Sequence, residues 1–142
     1  MQPIFSPTRT MSLLEQMATF TQRRQDILAG NIANVSTPGY KTRDLPVDSF
    51  QAAIQKAISQ QSPKNSSLAD QLYPQLKKPV SLEEIFQPEL FQPQERKPDN
   101  FTFQDAGNRN IEQEVMEMSK NSLLQASAIE LLVAQMKARV PL

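Results

Sequence analysis

The chain lacks several residue types on which protein chemistry commonly depends. Its 142 residues include no cysteine, no histidine and no tryptophan, and only three glycines. Without histidine there is no imidazole to act as a general base, and without cysteine there is no thiol nucleophile and no disulfide. Zinc and haem sites ligated by these side chains are excluded as well. The sequence therefore predicts a protein that is not an enzyme, with no catalytic residues, no metal site and no cofactor.

Net charge and apolar content are also low. Fifteen Lys and Arg residues balance fifteen Asp and Glu residues, so no overall charge attracts the chain to nucleic acid or anionic lipid. Hydrophobic residues make up 39% of the chain, against a usual share of about 45–50%, which argues against a large packed core. Pro3, Pro7, Arg9 and Glu15 interrupt any apolar run near the N-terminus. We therefore expect neither a cleavable signal peptide nor direct membrane insertion, and the partners should be other proteins.

An amphipathic helix is predicted over residues 12–35, after a flexible N-terminus at 1–11. Apolar residues recur there at helical spacing, and those expected to pack are Leu14, Met17, Leu28 and Ile32. Ser12 and Glu15 have the spacing of a capping box, which predicts the start of the helix. Such a helix would be roughly 35 Å long, too long for a small core to cover, so it needs a partner helix.

That partner helix is predicted at residues 110–140, where a seven-residue repeat runs for more than three heptads. Its seam consists of Ile111, Val115, Met118, Ser122, Gln125, Ile129, Leu132 and Met136. Lys137 and Arg139 place positive charge at the helix C-terminus, where the macrodipole favours it. The predicted fold is therefore mainly α, with the long N- and C-terminal helices pairing as an antiparallel coiled coil.

Further apolar residues lie off that seam and widen the apolar surface. They are Leu123, Leu124, Leu131 and Val133. One interpretation is a second neighbour, such as another subunit. The other is a three-helix core within one chain, and the pattern alone leaves both open.

The segment between the two helices is rich in proline and glutamine. Seven prolines from Pro46 to Pro98 predict a mostly irregular region at 62–105. A short helix is expected at 48–61, where Phe50 and Ile54 begin an amphipathic face. Residues 80–91 keep enough apolar side chains to dock, on this chain or on another subunit. A short β-hairpin between residues 40–47 and 101–103 also fits the pattern.

The most informative motif lies between Asn31 and Lys41. Pro38 followed by Gly39 predicts a type II turn, which ends the first helix and begins a turn and extended segment at 36–47. Asn31 and Asn34 share one face of the helix, where their amides suit a directional polar contact. The alternative is that Asn34 only caps the helix and the Pro-Gly pair forms an ordinary surface turn.

The pattern Asn-x-x-Asn-x-x-Thr-Pro-Gly-Tyr, together with the C-terminal heptad helix, resembles the bacterial flagellar axial proteins. Within that family the chain is most similar to the proximal rod subunits, because the middle segment lacks the strands of a β-rich domain. The resemblance implies a structural subunit that stacks head to tail into a torque-transmitting rod in the periplasmic space. It also implies a rigid elbow made by Asn31, Asn34, Thr37, Pro38, Gly39 and Tyr40.

The same resemblance implies the partners of the chain. These are other rod subunits, the membrane-proximal base of the flagellum and further copies of the chain itself. It also implies passage through the flagellar type III export apparatus without a cleaved signal, as a monomer whose terminal helices fold on incorporation.

Two other function classes follow from the residues. Glu112, Glu114 and Glu117 could place paired carboxylates on a helix, as glycoside hydrolysis requires. Exposed heptads would also suit a soluble helical adaptor or export chaperone. An adaptor should be well folded alone, whereas a rod subunit should be partly unfolded until it meets its neighbours.

Overall fold

The computed structural model describes residues 7–60, 67–76, 80–96 and 106–140. Two long helices, α1 (Pro7–Ala33) and α5 (Ala106–Arg139), lie against each other along most of their length. Gln22 contacts Gln125 and Asn31 contacts Glu114, so position along α5 falls as position along α1 rises. The two helices are therefore antiparallel, which confirms the predicted mainly α fold.

Both long helices begin earlier than the sequence predicts. Helix α1 starts at Pro7, a residue suited to the first helical turn because it needs no hydrogen-bond partner for its nitrogen. Ser12 therefore lies inside the helix and does not cap it, and residues 7–11 are helical rather than flexible. Helix α5 starts at Ala106 instead of residue 110.

The middle of the chain contains more regular structure than its proline content predicts. Helix α2 spans Val47–Ser59, and short helices follow at α3 (Leu68–Leu72) and α4 (Leu82–Ile85). Two turns of 3₁₀-helix lie at Pro74–Leu76 and Pro88–Phe91. The hydroxyls of Ser67 and Ser81 cap α3 and α4, each accepting a backbone N–H three residues on. These caps explain the short helices within the segment 62–105, where the described elements are at most five residues long.

A small antiparallel sheet connects the middle of the chain to the end of α1. Its strands are β1 (Arg43–Asp44) and β2 (Gln94–Glu95), with Arg43 opposite Glu95. The extended segment after the Pro-Gly turn therefore pairs with residues 94–95. The predicted partner strand, residues 101–103, lies outside the described residues.

The hydrophobic core lies between α1, α2 and residues 80–91. The rings of Phe20 and Phe50 stack with their centroids 3.8 Å apart, and Phe86 and Phe91 pack around them. Residues 80–91 thus dock on their own chain. Of the residues predicted to pack on α1, Leu14 and Leu28 are buried, Met17 borders this core and Ile32 is half-buried.

Candidate functional site

The Thr-Pro-Gly-Tyr segment forms a tight turn directly after α1. Gly39 has φ of 77°, the positive value that the third position of a type II turn requires. The backbone N–H of Tyr40 closes the turn by donating to the Thr37 carbonyl at 3.2 Å. Before the turn, the Asn34 amide donates to the Gly30 carbonyl at 2.9 Å and accepts from the Thr37 hydroxyl at 3.2 Å. The backbone N–H of Asn34 also donates to the Gly30 carbonyl, at 3.1 Å, so Asn34 holds the last turn of the helix through two hydrogen bonds to one acceptor.

Asn31 joins the turn to both long helices. Its side chain is 1% exposed. Its amide nitrogen donates to the Arg43 carbonyl at 2.7 Å and to the Glu114 carboxylate on α5 at 3.2 Å. Its amide oxygen accepts from the Arg43 N–H at 3.1 Å and from the Tyr40 hydroxyl at 3.0 Å. One buried amide therefore fixes α1, β1 and α5 relative to one another.

The six predicted elbow residues therefore divide into two groups. Asn31 is buried and Asn34 is half-buried, and both hold the turn from inside. Thr37, Pro38, Gly39 and Tyr40 are exposed, so the surface of the turn is available to other molecules.

An ionic network lies beside Asn31 and connects four elements. The guanidinium of Arg24 on α1 binds both carboxylate oxygens of Asp44 on β1, at 2.9 and 3.0 Å. Arg24 also donates to Glu117 on α5 at 2.9 Å. After β2, Arg96 donates to Asp44 at 3.0 Å and binds Glu114. Two buried or half-buried cations thus connect three carboxylates in a continuous network.

The network keeps these groups charged. Burial alone would raise the pKa of the Asp44 carboxyl, but the guanidiniums of Arg24 and Arg96 outweigh it and hold this pKa below its usual range. The hydrogen bond from Arg24 is the main cause of a lowered pKa at Glu117. Burial opposes the charged form of Arg24, yet its two carboxylate partners raise its pKa above the ordinary value. The network thus fixes the position of the small sheet on the helix pair.

The middle of the interface between α1 and α5 is also polar. Asn121 is buried, and its amide nitrogen donates to the Thr21 carbonyl at 2.7 Å and to the Gln25 side chain at 2.8 Å. Its amide oxygen is buried and has no hydrogen-bond partner among the residues that the structure describes. Gln25 also donates to Ser122 at 3.0 Å. Because buried amides contribute direction more than hydrophobic stabilisation, this interface fixes register and is weakly stabilising.

The predicted heptad seam is displaced from the face of α5 that meets α1. The buried residues of α5 are Glu114, Asn121 and Ala128, seven residues apart. Of the predicted packing residues, Met118 and Leu132 are half-buried. Ile111, Val115, Ile129 and Met136 remain 37–51% exposed. The buried residues Glu114, Asn121 and Ala128 thus each lie one residue before a predicted seam position, 115, 122 and 129. The shift occurs because Glu114 and Asn121 form hydrogen bonds with polar groups on α1.

The apolar residues predicted to lie off the seam are exposed. Leu123 is the most exposed of them at 71%, and Leu124, Leu131 and Val133 are also largely exposed. Within the described residues they take no part in a three-helix core, because the core forms around Phe20 and Phe50 instead. The chain thus leaves apolar surface on α5 uncovered.

The three glutamates considered for hydrolysis do not form a pair of free carboxylates. Glu114 is bound by Arg96 and Asn31, and Glu117 is bound by Arg24. A general acid needs a raised pKa, whereas that of Glu117 is lowered. Glu112 is exposed and lies two residues before Glu114, on the opposite side of the helix. The carboxylates instead connect secondary-structure elements.

Residues 18–41 match the family model described as flagella basal body rod protein. This segment contains the second half of α1, Asn31 and the complete Thr-Pro-Gly-Tyr turn. The match covers a short part of the chain, which is similar there to flagellar rod proteins. No curated protein and no solved structure matches the chain significantly.

Sequence reasoning did not find the ionic network of this chain. Arg24 interrupts the apolar stripe of α1. A charged residue within such a stripe indicates a buried ion pair, and it was the one signal of the network in the local sequence. Its partners Asp44 and Glu117 lie 20 and 93 residues away, so no local spacing reveals them. Among the helices that the structure describes, none combines the length and hydropathy needed to cross a bilayer.

Proposed function

We propose that the chain is a proximal-rod subunit of the FlgB type in the bacterial flagellar basal body. Copies of it, together with other rod subunits, would stack through helix packing into the drive shaft that transmits torque. In this proposal the chain is not an enzyme, and it binds neither nucleic acid nor membrane directly.

One observation carries this proposal. The segment matched by the rod-family model is bonded through Asn31 to Glu114 near the start of α5. The N-terminal family segment and the C-terminal helix therefore form one structural unit, as an elbow at a subunit contact would require. The middle of the chain supports the proximal subtype, because its described residues contain only two strands of two residues each.

The surface of α5 supports assembly with neighbours. A rod that grows without closing requires contacts between two different patches on each subunit. Apolar surface left uncovered after α1 and α5 have paired is what such contacts need. In our proposal these neighbours are copies of the chain, other rod subunits and the membrane-proximal base, all within the periplasmic space.

The polar interface between α1 and α5 supports a route to that position. Few apolar side chains are buried between the two helices, so the pair gains little hydrophobic stabilisation to offset the entropy of ordering. We expect the ends of α1 and α5 that lie outside the ionic network and the hydrophobic core to be flexible in the free monomer and to fold on incorporation. A loosely folded chain could pass through the flagellar type III export apparatus without a cleaved signal.

The direct test is deletion of the gene followed by complementation. We expect the deletion strain to lose filaments and swimming, and isolated wild-type basal bodies to contain the chain in their rods. Complementation with Gly39→Asn should restore more motility than Gly39→Val, because asparagine tolerates positive φ far better than a β-branched residue. Normal flagella in the deletion strain would contradict the proposal.

The adaptor alternative gives a different result in solution. A soluble adaptor or export chaperone should show full helicity by circular dichroism when purified and should form a stoichiometric complex with a client. A rod subunit should gain helicity when its neighbours are added.

A further inference from the structure

Helix α5 carries two separate apolar strips that its own chain leaves uncovered. Strip A consists of Val115, Ile129, Val133 and Met136, each between 41% and 51% exposed. At about 100° per residue these four side chains share one flank of the helix. This flank borders α1 on one side of the helix pair.

Strip B lies on the other flank of α5 and consists of Met116, Leu123, Leu124 and Leu131. Its mean direction is roughly 150° from that of strip A across the outer side of the helix. Exposed polar residues separate the strips there, including Glu130 and Lys137. Lys120 also lies on the strip B flank, where its ammonium is drawn to Glu117 at 3.4 Å.

A groove lies beside strip A, whereas strip B presents exposed leucines. The groove is open, has a volume of about 510 Å³ and lies between the helices, lined by Gln125 and Ile129 from α5 and by Ala18, Thr19, Gln22, Arg23 and Asp26 from α1. The central leucine of strip B, Leu123, is 71% exposed and is therefore available to enter such a groove. Ridges of one helix pack into grooves of another. Strip A also contains β-branched residues and strip B mainly leucines, a combination that packs well between helices.

The area of these strips sets the strength of the contact. From their exposed fractions, the eight side chains would bury about 800 Å² in total, against about 1,600 Å² for a standard specific interface. One contact of this kind is too small for a stable isolated dimer. A subunit with a contact on each flank would be held by both, so the strips suit a repeating array.

We infer that strip B of one copy of the chain packs into the groove at strip A of a second copy. The contact joins two different surfaces, so each copy keeps one free strip and the array continues. This inference rests on the proposed rod function for its setting, and it names the residues through which the copies would meet.

Disulfide trapping tests the contact, because the chain has no cysteine of its own. Each strip A residue and each strip B residue is replaced by cysteine in separate full-length chains. Every strip A variant is then mixed with every strip B variant under mild oxidation. Glu130→Cys on the polar outer side serves as the matched control.

We expect particular A–B mixtures to give crosslinked pairs several-fold above the Glu130→Cys control, at a constant offset along the helix. A chain that carries both cysteines of such a pair should give a ladder of oligomers. The double variant uses a pair at least five residues apart on the helix, because a rise of about 7.5 Å or more is too far for an internal disulfide. Adding Leu123→Asp to the strip B chain should abolish the crosslink.

Two outcomes would overturn the inference. Crosslinks confined to A–A or B–B pairs would show a symmetric dimer, and yields at the control level for all pairs would show that copies do not meet through α5. Since the assay uses purified chain, it is independent of the deletion experiment. A–B crosslinks with normal flagella in the deletion strain would leave the contact standing and reject the rod function.

Discussion

Replacement of Asn31 by alanine tests whether the elbow is built as the structure shows. The buried amide makes four hydrogen bonds, two to the backbone of Arg43, one to Glu114 and one to Tyr40. Glu114 keeps Arg96 as a partner, and the half-exposed Tyr40 hydroxyl can bond to water. The loss of stability therefore comes mainly from the N–H and carbonyl of Arg43, which lose their partner, and from the cavity that the missing amide leaves. We expect the free energy of unfolding to fall by about 2–4 kcal/mol.

Asn34→Ala is the matched control, because it removes the same side chain three residues later in the same motif. Asn34 bonds only to groups near the exposed helix end, where water can replace it. We expect Asn34→Ala to cost about 1 kcal/mol or less. Urea unfolding of both variants, monitored by circular dichroism, gives the two unfolding free energies. They can be compared if the dependence of the unfolding free energy on urea concentration is the same for both variants.

Asn31→Asp separates hydrogen bonding from side-chain volume. Aspartate fits the same space, but it cannot donate to the Arg43 carbonyl and it places a second carboxylate beside Glu114. We expect it to destabilise the chain at least as much as alanine at neutral pH. Equal unfolding free energies for Asn31→Ala and Asn34→Ala would refute the reasoning, because they would show that Asn31 is not a buried connection.

Three further predictions concern the turn, the ionic network and the core. Gly39→Val should cost about 1–3 kcal/mol through positive φ alone, since an added Cβ meets no atom within 4 Å; Gly39→Asn should cost less in the same urea assay. Asp44 and Glu117 have lower pKa values folded than their ordinary values of 3.8 and 4.5, so the unfolded state binds more protons. Their stabilisation is full above those values and is lost as pH falls below them; thermal unfolding between pH 3 and 7 should show this loss, and Arg24→Met should reduce it. Phe50→Ala should lower the unfolding free energy by about 3–5 kcal/mol, whereas an unchanged midpoint would contradict the stacked core.

The helical fold was predictable from the sequence because it depends on local patterns. Apolar spacing indicated both long helices and α2, and the Pro-Gly pair indicated the turn that ends α1. These signals come from residues within one or two turns of each other. The short helices α3 and α4 were missed because proline density outweighed the two serine caps, Ser67 and Ser81.

The candidate site was only partly predictable, because its contacts span long distances in sequence. The motif identified Asn31, but not its partner Glu114, which lies 83 residues later. The pairing of residues 43–44 with residues 94–95 was not predicted for the same reason. A two-residue strand has almost no periodicity, and its pairing depends on how Arg96 reaches Asp44.

The displaced heptad seam has a physical explanation that links the fold to assembly. The apolar periodicity of a helix reflects all of its apolar contacts. It does not distinguish contacts within the chain from contacts with other molecules. On α5, amides and carboxylates such as Asn121 and Glu114 face α1, whereas residues such as Ile129 and Leu123 face outward. A helix that only stabilised its own chain would bury its apolar side against α1. The reverse arrangement uses polar contacts to set the register of the pair, and under our proposal it leaves the hydrophobic stabilisation for contacts between subunits.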